Sequence, residues 1–180
     1  MSPPKTLETP RLRLRPVTEG DAGDIFEYAR SERSTLYMNF PRHRDIAESI
    51  EFAKRCAECW ATCSAFPWAI TTKDDDRLLG IIELRLRAPR ADFGYILNER
   101  YWGKGFASEA AIAVVDWALD QPSIFRVWAT CHPDNIASAR VLKKAGLQLE
   151  TTLANWEARP QLNELAGASL SFARLRPVGL

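Results

Sequence analysis

The most informative segment of this sequence is Arg100-Tyr101-Trp102-Gly103-Lys104-Gly105-Phe106-Ala107-Ser108-Glu109-Ala110. Its two glycines leave backbone amides unshielded where a helix begins, so several N–H groups can converge on an anion that the helix dipole also favours. The segment therefore predicts a phosphate-binding loop. A tight strand-to-helix turn, which needs glycine only for a positive φ, is the alternative that this short pattern leaves open.

Two familiar nucleotide motifs can be compared with this segment. A P-loop needs glycine five residues before its Gly-Lys pair and Ser or Thr directly after it, whereas Asn98 and Gly105 occupy those places, which excludes a P-loop NTPase. A dinucleotide fingerprint needs a third glycine at Ser108 and an acidic residue about 20 positions later, where the chain has Phe125 and Arg126. The segment therefore matches a nucleotide-dependent oxidoreductase poorly, and this function is kept only as an alternative.

Working outward, the segment lies between two strands. A strand over 92–97, a helix over 107–118 and a strand over 125–131 form a crossover unit, and such units place ligands at the carboxyl ends of their strands. The other predicted elements are a strand over 12–17, helices over 21–29 and 44–61, strands over 65–72 and 78–87, a helix over 135–145, and strands over 148–156 and 170–175. This order predicts a mixed α/β domain whose sheet is largely antiparallel early in the chain.

Composition narrows the class of protein. With 180 residues, 46% apolar residues and a formal net charge of +1, the chain is typical of one globular domain covering residues 1–180. The charge balance argues against direct binding of nucleic acid. No apolar run approaches the roughly 18 residues of a membrane span, and charges recur through the first 15 residues, so we expect a cytoplasmic protein without membrane contact.

Three cysteines raise the question of a metal. Cys56, Cys59 and Cys63 are spaced i, i+3 and i+7, which places them on one stripe of the predicted helix. Two helical turns separate the first from the last by about 10 Å, too far for one tetrahedral zinc ion. We therefore interpret them as core residues and expect no metal site.

Residues of the central segment resemble the acetyl-CoA motif of the GNAT superfamily of N-acetyltransferases, which is Arg or Gln, two residues, Gly, one residue, and Gly or Ala. Arg100, Gly103 and Gly105 match it. The resemblance continues in 94–97, in 107–110 and in 135–147, and the opening residues 7–15 are similar to the RimJ/RimL branch of ribosomal-protein N-terminal acetyltransferases. It implies a central mixed, mostly antiparallel sheet of about seven strands with a V-shaped splay, flanked by about four helices.

The resemblance also implies acetyl-CoA as co-substrate and a set of binding residues. Amides from Trp102 to Ala107 would hold the pyrophosphate, and the strand end would offer free backbone groups to the pantetheine arm. The cofactor-binding residues so implied are Ile96, Leu97, Arg100, Trp102, Gly103, Lys104, Gly105, Phe106, Ala107, Ser108, Asn135 and Ser138. For Asn135 and Ser138, an N-cap and a small packing residue are the alternative interpretation.

The implied reaction is direct attack of a primary amine on the thioester. The catalytic candidates are Glu83, Asn135 and Ser138, with Glu83 as base because a carboxylate in mid-sheet loses solvent. The alternative for Glu83 is an ion pair with an arginine on the same face. Many GNAT enzymes use a tyrosine acid on the helix after the fifth strand, and the helix over 135–145 has none; Ser138 is its only hydroxyl.

The acceptor amine is not identified by the sequence. We expect acceptor choice to depend on residues 30–45, on Trp68 and on the tail after Trp156; within 30–45 the candidates are Tyr37, Phe40, Arg42 and His43. Ribosomal-protein N-termini, amino acids, polyamines and drug amines all remain open, as does the choice between monomer and homodimer. The alternative function is a non-catalytic acyl-CoA-binding sensor.

Overall fold

The fold is built on one eight-stranded sheet, seen in a computed structural model that describes residues 2–177. The strands are β1 (Leu7–Glu8), β2 (Leu12–Pro16), β3 (Phe66–Thr72), β4 (Gly80–Arg87), β5 (Arg90–Leu97), β6 (Arg126–Cys131), β7 (Gln148–Arg159) and β8 (Glu164–Leu175). Their order in the sheet is β1-β2-β3-β4-β5-β6-β8-β7, and of these neighbouring strands only β5 and β6 run parallel. The prediction of a mixed, mostly antiparallel sheet is confirmed.

Helices cover both faces of the sheet. They are α1 (Ala22–Ala29), α2 (Glu32–Thr35), α3 (Ile46–Thr62), α4 (Phe106–Asp120) and α5 (Ile136–Lys144). The small residues of α4 are fully buried against one face, in a core that also contains Leu142 of α5. On the other face, Ile25 of α1 and Ala53 of α3 share a second core with Ile81 of β4. The sheet is therefore sandwiched, with α4 beginning directly beyond the end of β5.

Strand β5 separates from β6 along most of its length. It pairs with β4 from Arg90 to Leu97, but its parallel pairing with β6 ends at Asp92 and Trp128. Within residues 2–177, the stretch 93–97 therefore has no ladder partner on its β6 side, while β6 continues to pair with β8. We call this opening between β5 and β6 the splay. The V-shaped splay that the resemblance implied is confirmed.

The structure contains elements that the sequence patterns did not reveal. Strand β1 has two residues and α2 a single turn, both too short to show a period. The last hairpin is longer than predicted, because β7 continues to Arg159 and β8 begins at Glu164. Register shifts interrupt this pairing, and β7 shows no alternation of buried and exposed residues along its length.

The cysteines of α3 differ in burial. Cys56 is buried, and burial raises the pKa of its thiol to about 12. Cys63 is exposed at the helix end, with a left-handed φ of 55°, so the prediction of a core position is wrong for this residue. Among residues 2–177 there is no group of three His, Cys, Asp or Glu side chains that could hold a metal ion. In the same range, no helix combines the length and apolar character that a membrane crossing requires.

Candidate active site

The turn into α4 exposes a row of backbone amides. Gly103 and Gly105 have φ values of 76° and 81°, which glycine adopts without strain, and Gly105 is the N-cap of α4 without a side-chain cap. The hydrogen bonds of the described residues leave the amides from Gly103 to Ser108 without an acceptor. We call residues 103–108 the amide loop. Free amides at a helix N-terminus form a site for an anion.

The cationic side chains beside the amide loop are already engaged. Arg100 donates to Glu27 of α1 at 3.2 Å, and the ammonium of Lys104 lies 5.4 Å from the centre of the Tyr101 ring. The Trp102 indole N–H donates to the Leu97 carbonyl at 2.8 Å, so this carbonyl of the splayed strand is not free. Arg100 is therefore balanced by a carboxylate, whereas Lys104 keeps its positive charge beside the amides.

On the other side of the splay, α5 presents its N-terminus. The Asn135 side chain caps α5 by accepting from the Ser138 amide at 3.0 Å, which is the N-cap role that the sequence left open. Ser138 then lies in the first turn, and its hydroxyl accepts from the Tyr95 phenol of β5 at 2.9 Å. Burial raises the pKa of Tyr95 well above its ordinary value, so the phenol stays protonated. This hydrogen bond joins the two walls of the splay.

Ser138 also lies beside a sulfur atom. Burial raises the pKa of the Cys131 thiol, at the end of β6, to about 11, and the nearby Ser138 hydroxyl opposes this shift. Since the Ser138 oxygen accepts from Tyr95, its own proton is free to point elsewhere. The first turn of α5 thus carries a hydroxyl that can donate to sulfur.

The Glu83 carboxylate is paired. It lies in the fourth of eight strands, opposite Pro67 and Gly94, and accepts from Arg85 at 2.5 Å. Arg85 also donates to Asp92 at 2.6 Å, so one guanidinium joins two carboxylates on this face of the sheet. The alternative interpretation of Glu83, an ion pair with a same-face arginine, describes its geometry in this structure.

A match to a family model covers most of this architecture. Residues 11–148 match the model described as "Acetyltransferase (GNAT) domain". The chain belongs to the GNAT family of acetyltransferases. A relative from Bacillus subtilis (strain 168), "Uncharacterized N-acetyltransferase YoaA", is 32% identical over 153 residues, which are 83% of this chain and 86% of the relative. The predictions of family and of acyltransferase activity are confirmed.

Solved GNAT structures share the fold at low sequence identity. The microcin C7 self-immunity acetyltransferase MccE, in complex with acetyl-CoA and AMP, has a TM-score of 0.84 and 18% identity, covering 96% of this chain and 97% of that chain. RimL, a ribosomal L7/L12 α-N-protein acetyltransferase in complex with coenzyme A, has a TM-score of 0.81 and 19% identity, covering 94% and 97%. The neighbours of this GNAT fold thus include proteins that bind CoA or acetyl-CoA.

In this GNAT chain, the segment from the end of α2 to Phe40 contacts the residue after β6 and the last hairpin. The Tyr37 ring stacks on His132 at 4.9 Å, Asn39 donates to Glu157 at 2.8 Å, and Gln161 donates to the Thr35 and Phe40 carbonyls. The structure therefore brings together part of the 30–45 segment and the tail, the two regions in which we expect acceptor choice.

Other acceptor candidates lie elsewhere. Trp68, on which we also expected acceptor choice to depend, is fully buried in the core on the α4 side and donates its indole N–H to the Lys5 carbonyl, so its side chain presents no surface to an acceptor. Its position follows from the alternation of β3, because Phe66, Trp68 and Ile70 face the same core. Arg42 is in an exposed ion pair with Glu32.

Sequence reasoning missed four residues of this region. Tyr95 lies in the segment 94–97, which is part of the family resemblance, but only the fold brings it to Ser138. The segments 7–15 and 107–110 of the same resemblance contain Thr9, Arg11 and Glu109, whose mutual contacts join positions about 100 residues apart. No periodic signal reports such contacts, although the presence of all four residues in family-like segments was a usable hint.

Proposed function

We propose that this protein transfers an acetyl group from acetyl-CoA to a primary amine by direct attack in a ternary complex. The observation that carries the proposal is the position of the amide loop at the mouth of the splay, where free amides and an unpaired strand meet. The acceptor is a protein N-terminal α-amine or a small-molecule amine. We further propose that residues 1–180 act as one domain in the cytoplasm, as a monomer or homodimer.

The residues present fit acetyl-CoA. The amides from Gly103 to Ser108 match the negative oxygens of a pyrophosphate, and the α4 dipole adds to their attraction. The stretch 93–97 offers backbone groups to an arm that itself contains amides. Alternation along β5 turns the groups of Ile96 toward Ile81 of β4 and those of Tyr95 and Leu97 toward the splay, where Trp102 already occupies the Leu97 carbonyl. The RimL neighbour, which was solved in complex with coenzyme A, supports CoA as the ligand.

The first turn of α5 is suited to hold a negative sulfur. Bound acetyl-CoA supplies an activated thioester carbonyl, and the reaction leaves a thiolate. Ser138 would donate its hydroxyl proton toward that sulfur, while Tyr95 fixes the orientation of the hydroxyl. The N-terminal end of α5 favours negative charge at the same place. This pair supplies the acid role that the missing tyrosine of α5 leaves open.

The base that accepts the amine proton contributes less to the rate than the positioning of the two reactants. Arg85 occupies Oε1 of Glu83, so the amine proton would go to Oε2, or to Oε1 after the ion pair parts. Holding both reactants in line contributes about 7–11 kcal/mol, whereas a positioned base adds about 10² to 10⁴ in rate. An α-amine with a pKa near 8 is roughly a tenth neutral at pH 7, so such an acceptor tolerates a weak base.

The Glu83–Arg85 ion pair is also the observation that favours the second candidate function, a non-catalytic acyl-CoA-binding sensor. Thermal unfolding with and without acetyl-CoA tests both. At 100 times its Kd the ligand adds about 2.7 kcal/mol, or roughly 5–10 °C in Tm, and no shift would exclude both. A shift with NAD instead of CoA would favour an oxidoreductase.

Thiol release separates enzyme from sensor. Free CoA is measured against a panel of amines and N-terminal peptides; turnover with any of them supports the enzyme, and background release with all of them supports the sensor. For the active enzyme, we expect Ser138→Ala and Tyr95→Phe each to lower kcat by about 10-fold or more with little change in the Kd of CoA. The double variant should be no slower than Ser138→Ala, because Tyr95 acts through Ser138.

A further inference from the structure

A turn near the N-terminus reaches across to α4. The Glu109 carboxylate accepts from the Thr9 hydroxyl at 2.6 Å and from the Arg11 amide at 2.9 Å through one oxygen. Its other oxygen accepts from Arg11 Nε at 2.6 Å and pairs with Arg11 Nη2 at 2.6 Å. We call Thr9, Arg11 and Glu109 the latch. Four donors on one carboxylate fix its position and that of the turn.

Arg11 also contacts the amide loop itself. Its Nη1 donates to the Lys104 carbonyl at 3.0 Å, and its guanidinium lies 4.9 Å from the centre of the Phe106 ring. A Cβ on Gly105 would lie 3.3 Å from Arg11 Nη2, so the guanidinium packs closely on that glycine. One side chain therefore touches three consecutive residues of the loop. These contacts fix the Lys104 carbonyl against the turn that precedes β2.

The latch also balances the negative charge of Glu109 beside the amide loop. Glu109 is in the first turn of α4, where an unpaired carboxylate would repel an anion held by the amide loop. Arg11 balances this charge at close range. Burial would raise the pKa of Glu109, but the hydrogen bonds from Thr9 and Arg11 outweigh burial and lower it. The carboxylate therefore stays charged and paired.

We propose that Thr9, Arg11 and Glu109 are positioning residues that hold the amide loop in the conformation that binds the pyrophosphate of CoA. This inference rests on the proposed function. The proposal and the change in net charge predict opposite effects of removing the Glu109 carboxylate on the affinity for an anion. Removing a carboxylate from beside an anion site should tighten anion binding, whereas removing it from the latch releases the loop and weakens binding.

The test compares two ligands and three variants. The Kd of CoA and that of pantetheine, which lacks the pyrophosphate, are measured by calorimetry for the wild type, Glu109→Ala, Arg11→Lys and Arg13→Ala. We expect Glu109→Ala to raise the Kd of CoA at least 10-fold and Arg11→Lys several-fold, with the Kd of pantetheine changed less than twofold. Arg13→Ala is the matched control, because Arg13 lies two positions after Arg11 in an exposed ion pair with Glu8, and this substitution should change neither Kd.

Several outcomes would overturn the latch. Tighter or unchanged CoA binding by Glu109→Ala would do so, and so would an equal loss for CoA and pantetheine, which would indicate general loosening of the fold. If Glu109→Ala does not fold, Arg11→Lys keeps the charge and carries the same comparison. A wild type that binds no CoA would overturn the proposed function; a wild type that binds CoA, with variants that bind equally well, would overturn the latch alone.

Discussion

Gly80 is the position at which the geometry of the splay can be tested most directly. It begins β4, opposite Leu97 at the end of β5. A Cβ at this position would lie 2.3 Å from the Ile96 carbonyl oxygen and 2.8 Å from Leu97 Cα. Both are backbone atoms, so no side-chain rotation relieves the contact, and the strand end has to move by about 0.7 Å to reach even a 3.0 Å separation. The perturbation Gly80→Ala therefore shifts the last residues of the splayed strand.

The expected cost follows from overpacking. Forcing one methyl group against backbone in a packed region costs about 1–3 kcal/mol, and we expect about 2 kcal/mol for Gly80→Ala. For a chain of this length each kcal/mol lowers Tm by about 2–4 °C, so the Tm should fall by about 4–8 °C. The KM for acetyl-CoA should rise several-fold, since Ile96 and Leu97 line the proposed path of the pantetheine arm.

Gly94→Ala is the control. Gly94 lies on the neighbouring strand β5, and a Cβ there would have Arg85 Nη2, the end of a long side chain, as its nearest neighbour at 3.9 Å. We expect its free energy of unfolding to stay within about 0.5 kcal/mol of the wild type. Urea unfolding of both variants checks this. Equal stability of Gly80→Ala and Gly94→Ala would refute the argument that backbone contact at β4 fixes the end of β5.

Two further predictions concern buried ion pairs. Burial would raise the pKa of the Asp21 carboxyl, but bidentate hydrogen bonds from Arg15 and one from the Thr18 amide lower it below its ordinary value. Asp21→Asn should therefore lower the free energy of unfolding by about 2–3 kcal/mol above pH 4, and this difference from the wild type should shrink as the pH falls through the folded pKa of Asp21. Urea unfolding at pH 7 and pH 3 measures the difference. An equal difference at both pH values would contradict the stabilising role of the charged Asp21 carboxylate. Arg159 is fully buried between Glu157 and Glu164, so Arg159→Met should cost about 2 kcal/mol in thermal unfolding, and a neutral or stabilising result would show that the ion pairs contribute nothing.

The parts of the fold that depend on local signals could be predicted from the sequence. Gly103, Gly105 and Gly146 all have positive φ, and each stands where a loop enters a helix or a helix ends. Glycine is the residue that adopts this conformation at little cost, so its position in the sequence marks the turn. The periodicity of α4 likewise identified the helix that follows the loop, because its buried alanines and valines recur at three and four positions.

The parts that depend on distant pairing could not be predicted from one sequence. The outer half of the β7–β8 hairpin has few buried residues, so its pairing leaves no pattern of alternation. The contact between Tyr95 and Ser138 joins elements 43 positions apart, and the latch joins elements about 100 apart. Glu83 is an intermediate case. Strand alternation places Arg85 on the same face of the sheet as Glu83. Only the structure shows that the Arg85 guanidinium contacts two carboxylates, those of Glu83 and Asp92.

The charges around the amide loop explain how a chain with a net charge of +1 can be suited to a multiply charged ligand. Arg11 is paired with Glu109, and Arg100 with Glu27, so neither guanidinium adds an unbalanced positive charge to the loop. Attraction for an anion then comes from N–H groups that the fold already orients and from the ammonium of Lys104. Arg11 instead maintains the shape of the loop through the latch. A backbone site of this kind requires a rigid frame more than it requires excess charge, which is why the glycines and the latch matter more here than the number of lysines and arginines.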